Sequence, residues 1–287
     1  MTAELEPCPQ SGTGVHAWIM RSAHACRKAG LSPEQAVREI ESRITRRPSP
    51  ANEIPVAVEK AYDAAPAPGE PSRQWNTAPK WPAVNQEQRE AVIAAGEGLV
   101  DLWEASPIRF EAGESHAEEI VDALFPENPL LCVGQSSSQF ATRHREDFRG
   151  TLASQQLIVP SPMSSQTGRT QTGKVSEHTL ENTGDRRFLV IEQDAGTADE
   201  QSAVLLHLAE IAPLVLAVHS GSKSIHGWFY CQGQAEARLL TFMRKAVTLG
   251  ADRATWTRSQ FVRMPDGTRD GGARQTAYYF NPRRIKT

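Results

Sequence analysis

The chain has 287 residues, of which 39% are hydrophobic and 23% charged, enough for one large domain or two modest ones with ordinary cores. Its formal net charge of −3 argues against a protein that coats nucleic acid through overall basicity. No apolar run approaches the roughly 18 residues that a membrane span needs, so we expect no membrane association.

The N-terminal residues 1–14 lack the basic start, apolar stretch and cleavage site of a secretory signal peptide. We therefore expect a cytoplasmic protein whose cysteines are thiols. Cys8, His16, His24 and Cys26 could be drawn together as a zinc site, but their irregular spacing favours buried or surface thiols. No structural zinc is expected.

Residues 1–65 are predicted to form a small all-α module with three helices between 14 and 63. The second helix begins with Ser32 as N-cap and Pro33 at the first helical position, and Gln35 completes a capping box. The stretch 64–82 then has five prolines in nineteen residues. Proline is excluded from helix interiors, so residues 66–83 are predicted to be an extended linker.

Residues 84–287 form the predicted second domain. It opens with a helix at about 86–104 and another at 115–124, where Ser115 and Glu118 are expected to form a capping box. Short apolar runs at 130–133 and 157–160 are typical of strands. The Ser-, Thr- and Gly-rich residues 161–184 predict a long loop, and such loops inside compact domains are usually functional or mobile.

A β-α-β-β-α-β order is predicted for the core at about 186–280. Strands are expected at 187–194, 214–220, 224–231 and 259–264, and helices at 197–211 and 236–250. This is the split β-α-β order of ferredoxin-like and RNA-recognition (RRM-like) folds. The predicted fold class is therefore α+β: an RRM-like domain with additional N-terminal α/β elements, preceded by the all-α module. In that topology the first and third strands lie side by side in the middle of the sheet.

Polar side chains converge at one end of this predicted sheet. Glu192 and Asp194 are two residues apart at a strand end, so they point to the same face and repel each other unless a cation lies between them. Ser224 and His226 share a face of the third strand, and Asp252 follows the second helix. Three carboxylates suit Mg²⁺ or Mn²⁺, which activate a 3′-hydroxyl and hold a triphosphate in phosphoryl transfer.

Each of these residues also has a simpler interpretation. An ExD pair at a strand end is usually solvated, a strand histidine is usually hydrogen-bonded filler, and acids after a helix-ending glycine are common. Trp228 and Tyr230 are either core residues or platforms for stacking bases. The prediction of a site depends on the topology bringing the three acids and His226 together.

The basic residues supply candidate phosphate contacts. Lys223, Ser224 and His226 are placed to contact phosphates, and Arg263 to complement their charge. Residues 97–130 contain nine acids and one base, whereas 252–287 contain eight bases and three acids. The basic end is either a phosphate-facing region or a solvated charged tail.

The order of these motifs resembles the archaeo-eukaryotic primase superfamily, in the primase-polymerase branch found on plasmids, phages and other mobile elements. The three motifs are FLVIEQD (188–194), SGSKSIHGWF (220–229) and GADRATWTRSQFVRMPDGTR (250–269). The resemblance covers roughly residues 130–280. It implies a template-dependent nucleotidyltransferase, that is, a DNA primase or polymerase that serves the replication of a genome or mobile element.

The resemblance also implies roles for individual residues. The predicted ligands of two Mg²⁺ or Mn²⁺ ions are Glu192, Asp194 and Asp252, and the residues that hold the incoming triphosphate are Ser224 and His226, with Lys223 and Arg263 as supporting contacts. The family usually has Asp-x-Asp where this chain has Glu192. The longer carboxylate still binds a metal but shifts it by about the length of one methylene, which costs rate where sub-ångström placement counts.

The implied partners are a single-stranded DNA template and nucleoside triphosphates. The chain contains no GxxxxGK[ST] phosphate loop, so unwinding would come from a separate helicase. The N-terminal part weakly resembles a helical module that accompanies such primases.

Two alternatives remain open. One is a catalytically inactive, single-stranded nucleic-acid-binding module of a replication protein, favoured by Glu192 and by the basic C-terminal region. The other is a rolling-circle-type replication initiator, with Tyr278 or Tyr279 as the nucleophile. Such initiators need two histidines one residue apart, whereas His219 and His226 are seven apart.

Overall fold

The computed structural model describes residues 5–10, 14–63, 79–111 and 113–285. The chain divides into two compact units, Met1–Pro79 and Lys80–Thr287. The division falls within the proline-rich stretch. Most of the predicted linker, up to residue 78, lies outside the described residues.

The described part of the first unit contains three helices that share a buried core. They are α1 (Val15–Lys28), α2 (Pro33–Glu41) and α3 (Glu53–Asp63). The predicted capping box is present: the Ser32 hydroxyl accepts a hydrogen bond from the Gln35 amide, and the Ser32 amide donates to the Gln35 side chain at 2.8 Å. A hydrogen-bonded ion pair with Arg46 lowers the pKa of the buried Glu53 carboxyl to about 2.

The second unit mixes helices and strands, which confirms the α+β class. Its helices are α4 (Gln86–Ala95), α5 (Leu99–Glu104), α6 (Ala117–Leu124), α7 (Ala198–Ala209) and α8 (Glu236–Thr248). The described strands of the chain are β1 (Leu130–Gly134), β2 (Phe140–His144), β3 (Leu157–Ile158), β4 (Gly168–Arg169), β5 (Val175–Ser176), β6 (Phe188–Glu192), β7 (Leu214–His219), β8 (Ile225–Tyr230), β9 (Val262–Arg263) and β10 (Ala277–Phe280).

These strands form two four-stranded antiparallel sheets and one short hairpin. The first sheet has the order β2-β1-β3-β9, the second has the order β10-β7-β8-β6, and β4 pairs with β5. The hairpin lies within 161–184, the segment predicted to be a loop. As predicted, β6 and β8 are neighbours, but β6 is an edge strand and does not lie in the middle of the sheet.

The predicted fourth strand at 259–264 belongs to the other sheet. Beyond β6, an isolated bridge between Gln193 and Ala251 continues the second sheet. A 3₁₀ turn at Arg253–Trp256 follows this bridge. Val262 enters the core between the two sheets, where β9 pairs with β3. This burial explains why the strand joins the first sheet.

Alternating side chains of β6 and β8 give the second sheet two apolar faces. On one face, Ile191 and Phe229 pack against α7 and α8 in a core that includes Leu205 and Met243. The opposite face packs against the first sheet and α6, and there Trp228 is fully buried. Glu192 and His226 are on this second face by alternation, at the end of the strands.

Two predicted helix features differ in the structure. The single helix expected at 86–104 is divided into α4 and α5, because Gly96 ends α4 and Gly98 begins α5. The capping box of Ser115 with Glu118 does not form. Glu118 instead accepts hydrogen bonds from buried Arg145 at 2.6 Å and from the Gly150 amide at 2.9 Å. Within the described ranges, we find no helix with the length and apolar character to cross a bilayer.

Candidate functional site

Glu192, His226 and Ser224 form a contact cluster at the end of β6. Glu192 and His226 are cross-strand partners. Glu192 Oε1 lies 3.2 Å from His226 Nε2 and 3.4 Å from the Ser224 hydroxyl, which itself lies 3.4 Å from His226 Nε2. The His226 side chain is 2% exposed and that of Glu192 is 22% exposed. His226 is therefore shielded from solvent, whereas Glu192 is partly accessible to it.

The surroundings keep Glu192 ionised. Burial alone would raise the pKa of this carboxyl, but the hydrogen bond and charge of His226, the charge of Arg263 and the hydrogen bond of Ser224 outweigh it and hold the pKa below its ordinary value. Arg263 belongs to β9 of the first sheet. The Glu192 carboxylate therefore lies at the junction of the two sheets, with basic groups contributed by both.

Asp194 follows the end of β6 and has a separate partner. Its Oδ1 lies 3.8 Å from Lys223 Nζ. The two side chains are 61% and 68% exposed, so solvent screens the pair and its contribution to stability is small. Asp194 and Lys223 can therefore each exchange this partner for another charged group.

Asp252 lies beside Glu192 on the side away from His226. The Asp252 amide donates to the Glu192 carbonyl at 2.8 Å, and the Gln193–Ala251 bridge continues this antiparallel pairing. The Asp252 carboxylate accepts a hydrogen bond from the Ala254 amide at 3.0 Å and thereby caps the 3₁₀ turn. The backbone thus places Asp252, Glu192 and His226 in a row across the sheet end.

The three predicted metal ligands meet at one corner of the sheet, but their carboxylates have different partners. Glu192 contacts His226, Asp194 contacts Lys223 and Asp252 caps Ala254. In the described parts of the chain, no three His, Cys, Asp or Glu side chains are grouped so as to hold a metal ion. Carboxylate oxygens are donors that suit Mg²⁺ or Mn²⁺, but these three side chains are not grouped as ligands. A shared ion requires the three carboxylates to converge on one point, and their separate partners hold them apart.

No family model, curated protein or solved structure matches the chain. The resemblance to the archaeo-eukaryotic primases therefore depends on the three motifs. The structure adds that the first motif borders both the second, through β6 and β8, and the third, through the Gln193–Ala251 bridge.

The end of the third motif contains a residue that the sequence did not single out. Arg269 and the following residue, Asp270, line a cavity of about 370 Å³ that also includes Gln135 and Ser154. Arg269 donates to the Ser220 carbonyl in the second motif at 3.4 Å. Arg269 also lowers the pKa of Arg263, after the larger effect of burial. The sequence singled out Arg263 among the bases of the C-terminal region but gave no signal for Arg269.

Trp228 and Tyr230 were expected to be either core residues or platforms for stacking bases. The Trp228 ring is fully buried and packs edge-on against Phe188 at 5.6 Å between ring centroids. It is a core residue and is not exposed for stacking on a base. Tyr230, at the far end of β8, is partly buried and packs at the edge of the same core.

The histidines considered for a replication initiator do not form a pair. Val218, the residue before His219, is the cross-strand partner of His226, so alternation points His219 and His226 to opposite faces. The ring of Tyr278 packs edge-on against His219 at 6.2 Å between centroids. Tyr279 is buried.

Proposed function

We propose that the second unit is a metal-dependent nucleotidyltransferase of the primase-polymerase kind, in which β6-α7-β7-β8-α8 forms an RRM-like core. The observation that supports this function is the row of Asp252, Glu192 and His226 across the sheet end. Asp194 and Ser224 lie at the same corner. These five residues come from three motifs in the order typical of such enzymes.

The proposed mechanism is an exchange of ionic partners. The acids of the site are already paired with its bases, Glu192 with His226 and Asp194 with Lys223. Glu192, Asp194 and Asp252 would hold the ions, and His226 Nε2 and Lys223 Nζ would then contact the triphosphate oxygens. His226 Nδ1 is buried and has no hydrogen-bond partner among the described residues, so Nε2 is the nitrogen that faces the site.

The remaining roles follow from position. Bound Mg²⁺ or Mn²⁺ would activate the attacking 3′-hydroxyl and offset the charge of the triphosphate. Ser224 would donate its hydroxyl hydrogen to a phosphate oxygen once Glu192 turns away. Arg263 would complement the phosphate charge from the first sheet. The proposed substrates are a single-stranded DNA template and nucleoside triphosphates. The proposed partner is a separate helicase, and the proposed location is the cytoplasm.

Primer synthesis and extension by the full-length protein test this proposal. The assay uses single-stranded DNA with and without a labelled primer, all four deoxynucleotides or ribonucleotides, and Mg²⁺, Mn²⁺ or a chelator. We expect nucleotide incorporation with at least one of the ions and none with the chelator. A purified, folded protein that incorporates no nucleotide under any of these conditions would contradict the proposal.

A second candidate is a catalytically inactive module that binds single-stranded nucleic acid. It is favoured by the separate partners of Glu192, Asp194 and Asp252, which leave no grouped metal ligands in the described residues. It predicts binding to single strands that weakens with salt and is unchanged by the loss of the three carboxylates. Metal-dependent incorporation excludes it.

A further inference from the structure

A cleft of about 660 Å³ lies between α8 and the connection from α7 to β7. Its floor contains Leu189, Phe229, Leu239 and Phe242, all buried. The volume is within the range of roughly 300 to 1,000 Å³ that is usual for ligand sites. The cleft is on the helix-covered face of the second sheet, and Leu189 is three residues, about 10 Å, from Glu192 along β6. It is therefore distinct from the site at the other end of that strand.

Two bases on the outer side of α8 flank this apolar floor. Arg238 and Lys245 both line the cleft and are seven residues apart. Seven residues are close to two helical turns, so both bases lie on one side of α8, about 10 Å apart. Arg238 donates to the neutral Gln234 side chain at 3.1 Å. Neither base has a carboxylate partner within the described part of the chain.

The spacing of the two bases suits an extended peptide that carries two acids. The backbone positions of Arg238 and Lys245 are about 10 Å apart along α8, so two acids at a similar spacing can each pair with one base. A peptide in polyproline II conformation repeats every three residues and rises about 3.1 Å per residue, so acids at positions i and i+3 lie about 9 Å apart on one side. The residues between them can direct an apolar side chain to Phe242 and Leu239. Ile211, 45% exposed at the edge of the cleft, extends the apolar surface.

We propose that this cleft, formed by α8 and the α7–β7 connection, is a docking site for an extended acidic peptide of a partner protein, with an apolar side chain between two acids. Arg238 and Lys245 bind the acids, and the buried floor receives the apolar side chain. The combination of a desolvated apolar anchor with flanking charges is a recurrent way to obtain both affinity and selectivity. The site does not depend on nucleotidyl transfer.

Fluorescence anisotropy with the full-length protein tests this site. The probe is a fluorescein-labelled eight-residue peptide with aspartates at positions 3 and 6 and phenylalanine and leucine between them. One control peptide has lysines in place of the aspartates, and a second has serines in place of phenylalanine and leucine. We expect saturable binding of the first peptide that is at least about tenfold tighter than that of either control.

Variants on one helix provide the matched comparison. Lys245→Glu reverses a charge in the cleft, and Thr241→Trp fills the cleft without a change of charge. Each is expected to weaken binding about tenfold or more. Arg244→Glu reverses the neighbouring charge, which is exposed and does not line the cleft, and is expected to change affinity less than twofold. Circular dichroism confirms that each variant is folded.

Three outcomes would overturn the proposal. The first is the absence of saturable binding of the aspartate peptide to the wild-type protein. The second is equal binding of the aspartate and serine-substituted peptides, which would indicate charge attraction alone. The third is an equal loss of affinity in Arg244→Glu and Lys245→Glu, which would indicate attraction to the whole helix surface.

Discussion

Replacement of both Asp194 and Asp252 by alanine is expected to reduce metal-dependent nucleotide incorporation by about 100-fold or more. The two carboxylates flank Glu192, one further along the chain and one across the sheet edge. Their removal leaves one carboxylate for two ions and removes much of the charge that holds them. The measurement is the initial rate of primer extension at saturating Mg²⁺ and at saturating Mn²⁺.

A control variant removes two acids elsewhere in the second unit. Glu97 and Glu210 are both exposed, and Glu210 contacts only His207 among the ion pairs of the described residues. The Glu97→Ala, Glu210→Ala variant has the same net charge as the test variant and is expected to retain wild-type activity. Equal activity of wild type and the Asp194→Ala, Asp252→Ala variant would reject the catalytic role of these residues.

The second large expected effect is on stability. His226→Ala is expected to lower the free energy of unfolding by about 2–4 kcal/mol at pH 7, because it leaves a mostly buried carboxylate without its partner and opens space in the core. The His226 side chain is 2% exposed, and it contacts Glu192 at 3.2 Å. Denaturant unfolding followed by circular dichroism measures the difference.

The stability difference between His226→Ala and the wild type is expected to depend on pH. In the wild type, the pKa of Glu192 is below its ordinary value, so its contribution to stability is present above the unfolded pKa of about 4.3 and is lost as pH falls through the folded value. Without His226, burial is the largest remaining influence and raises the pKa of Glu192. The loss of unfolding free energy in the His226→Ala variant, relative to the wild type, should therefore be largest at neutral pH and should shrink as pH falls toward 4.

His207→Ala is the matched control for this measurement. His207 is on α7, its side chain is 30% exposed, and its contact with Glu210 is 3.8 Å. Its loss is expected to change stability by less than about 0.5 kcal/mol. Two results would contradict a stabilising role of the Glu192–His226 pair. One is a loss of unfolding free energy in His226→Ala as small as that of the control, and the other is a loss that grows as pH falls.

Local sequence signals predicted much of the second sheet. The alternation in β6 and β8 placed Glu192 and His226 on shared faces, and the split β-α-β order made these strands neighbours, which their pairing confirms. The capping pattern of Ser32 and Gln35 located the start of α2, where the capping box forms. These features depend on residues a few positions apart or on simple strand topology.

Features that depend on competing long-range contacts were not predicted. The short apolar run around Val262 carries no information about which sheet it joins, and its burial between the sheets decides this. Glu118 has the spacing of a capping residue, but it pairs with buried Arg145 and does not cap the helix. The capping of the Ala254 amide by Asp252 was also missed, because the 3₁₀ turn that it begins was not predicted.

A crystal structure of the full-length protein with Mn²⁺ and a non-hydrolysable deoxynucleoside triphosphate tests the proposed function most directly. The predicted result is that oxygens of Glu192, Asp194 and Asp252 lie about 2.0–2.3 Å from bound ions, with His226 Nε2 and Lys223 Nζ moved to the triphosphate. The contradicting result is that Glu192 stays with His226, Asp194 with Lys223 and Asp252 with the Ala254 amide while ion and nucleotide bind elsewhere or not at all.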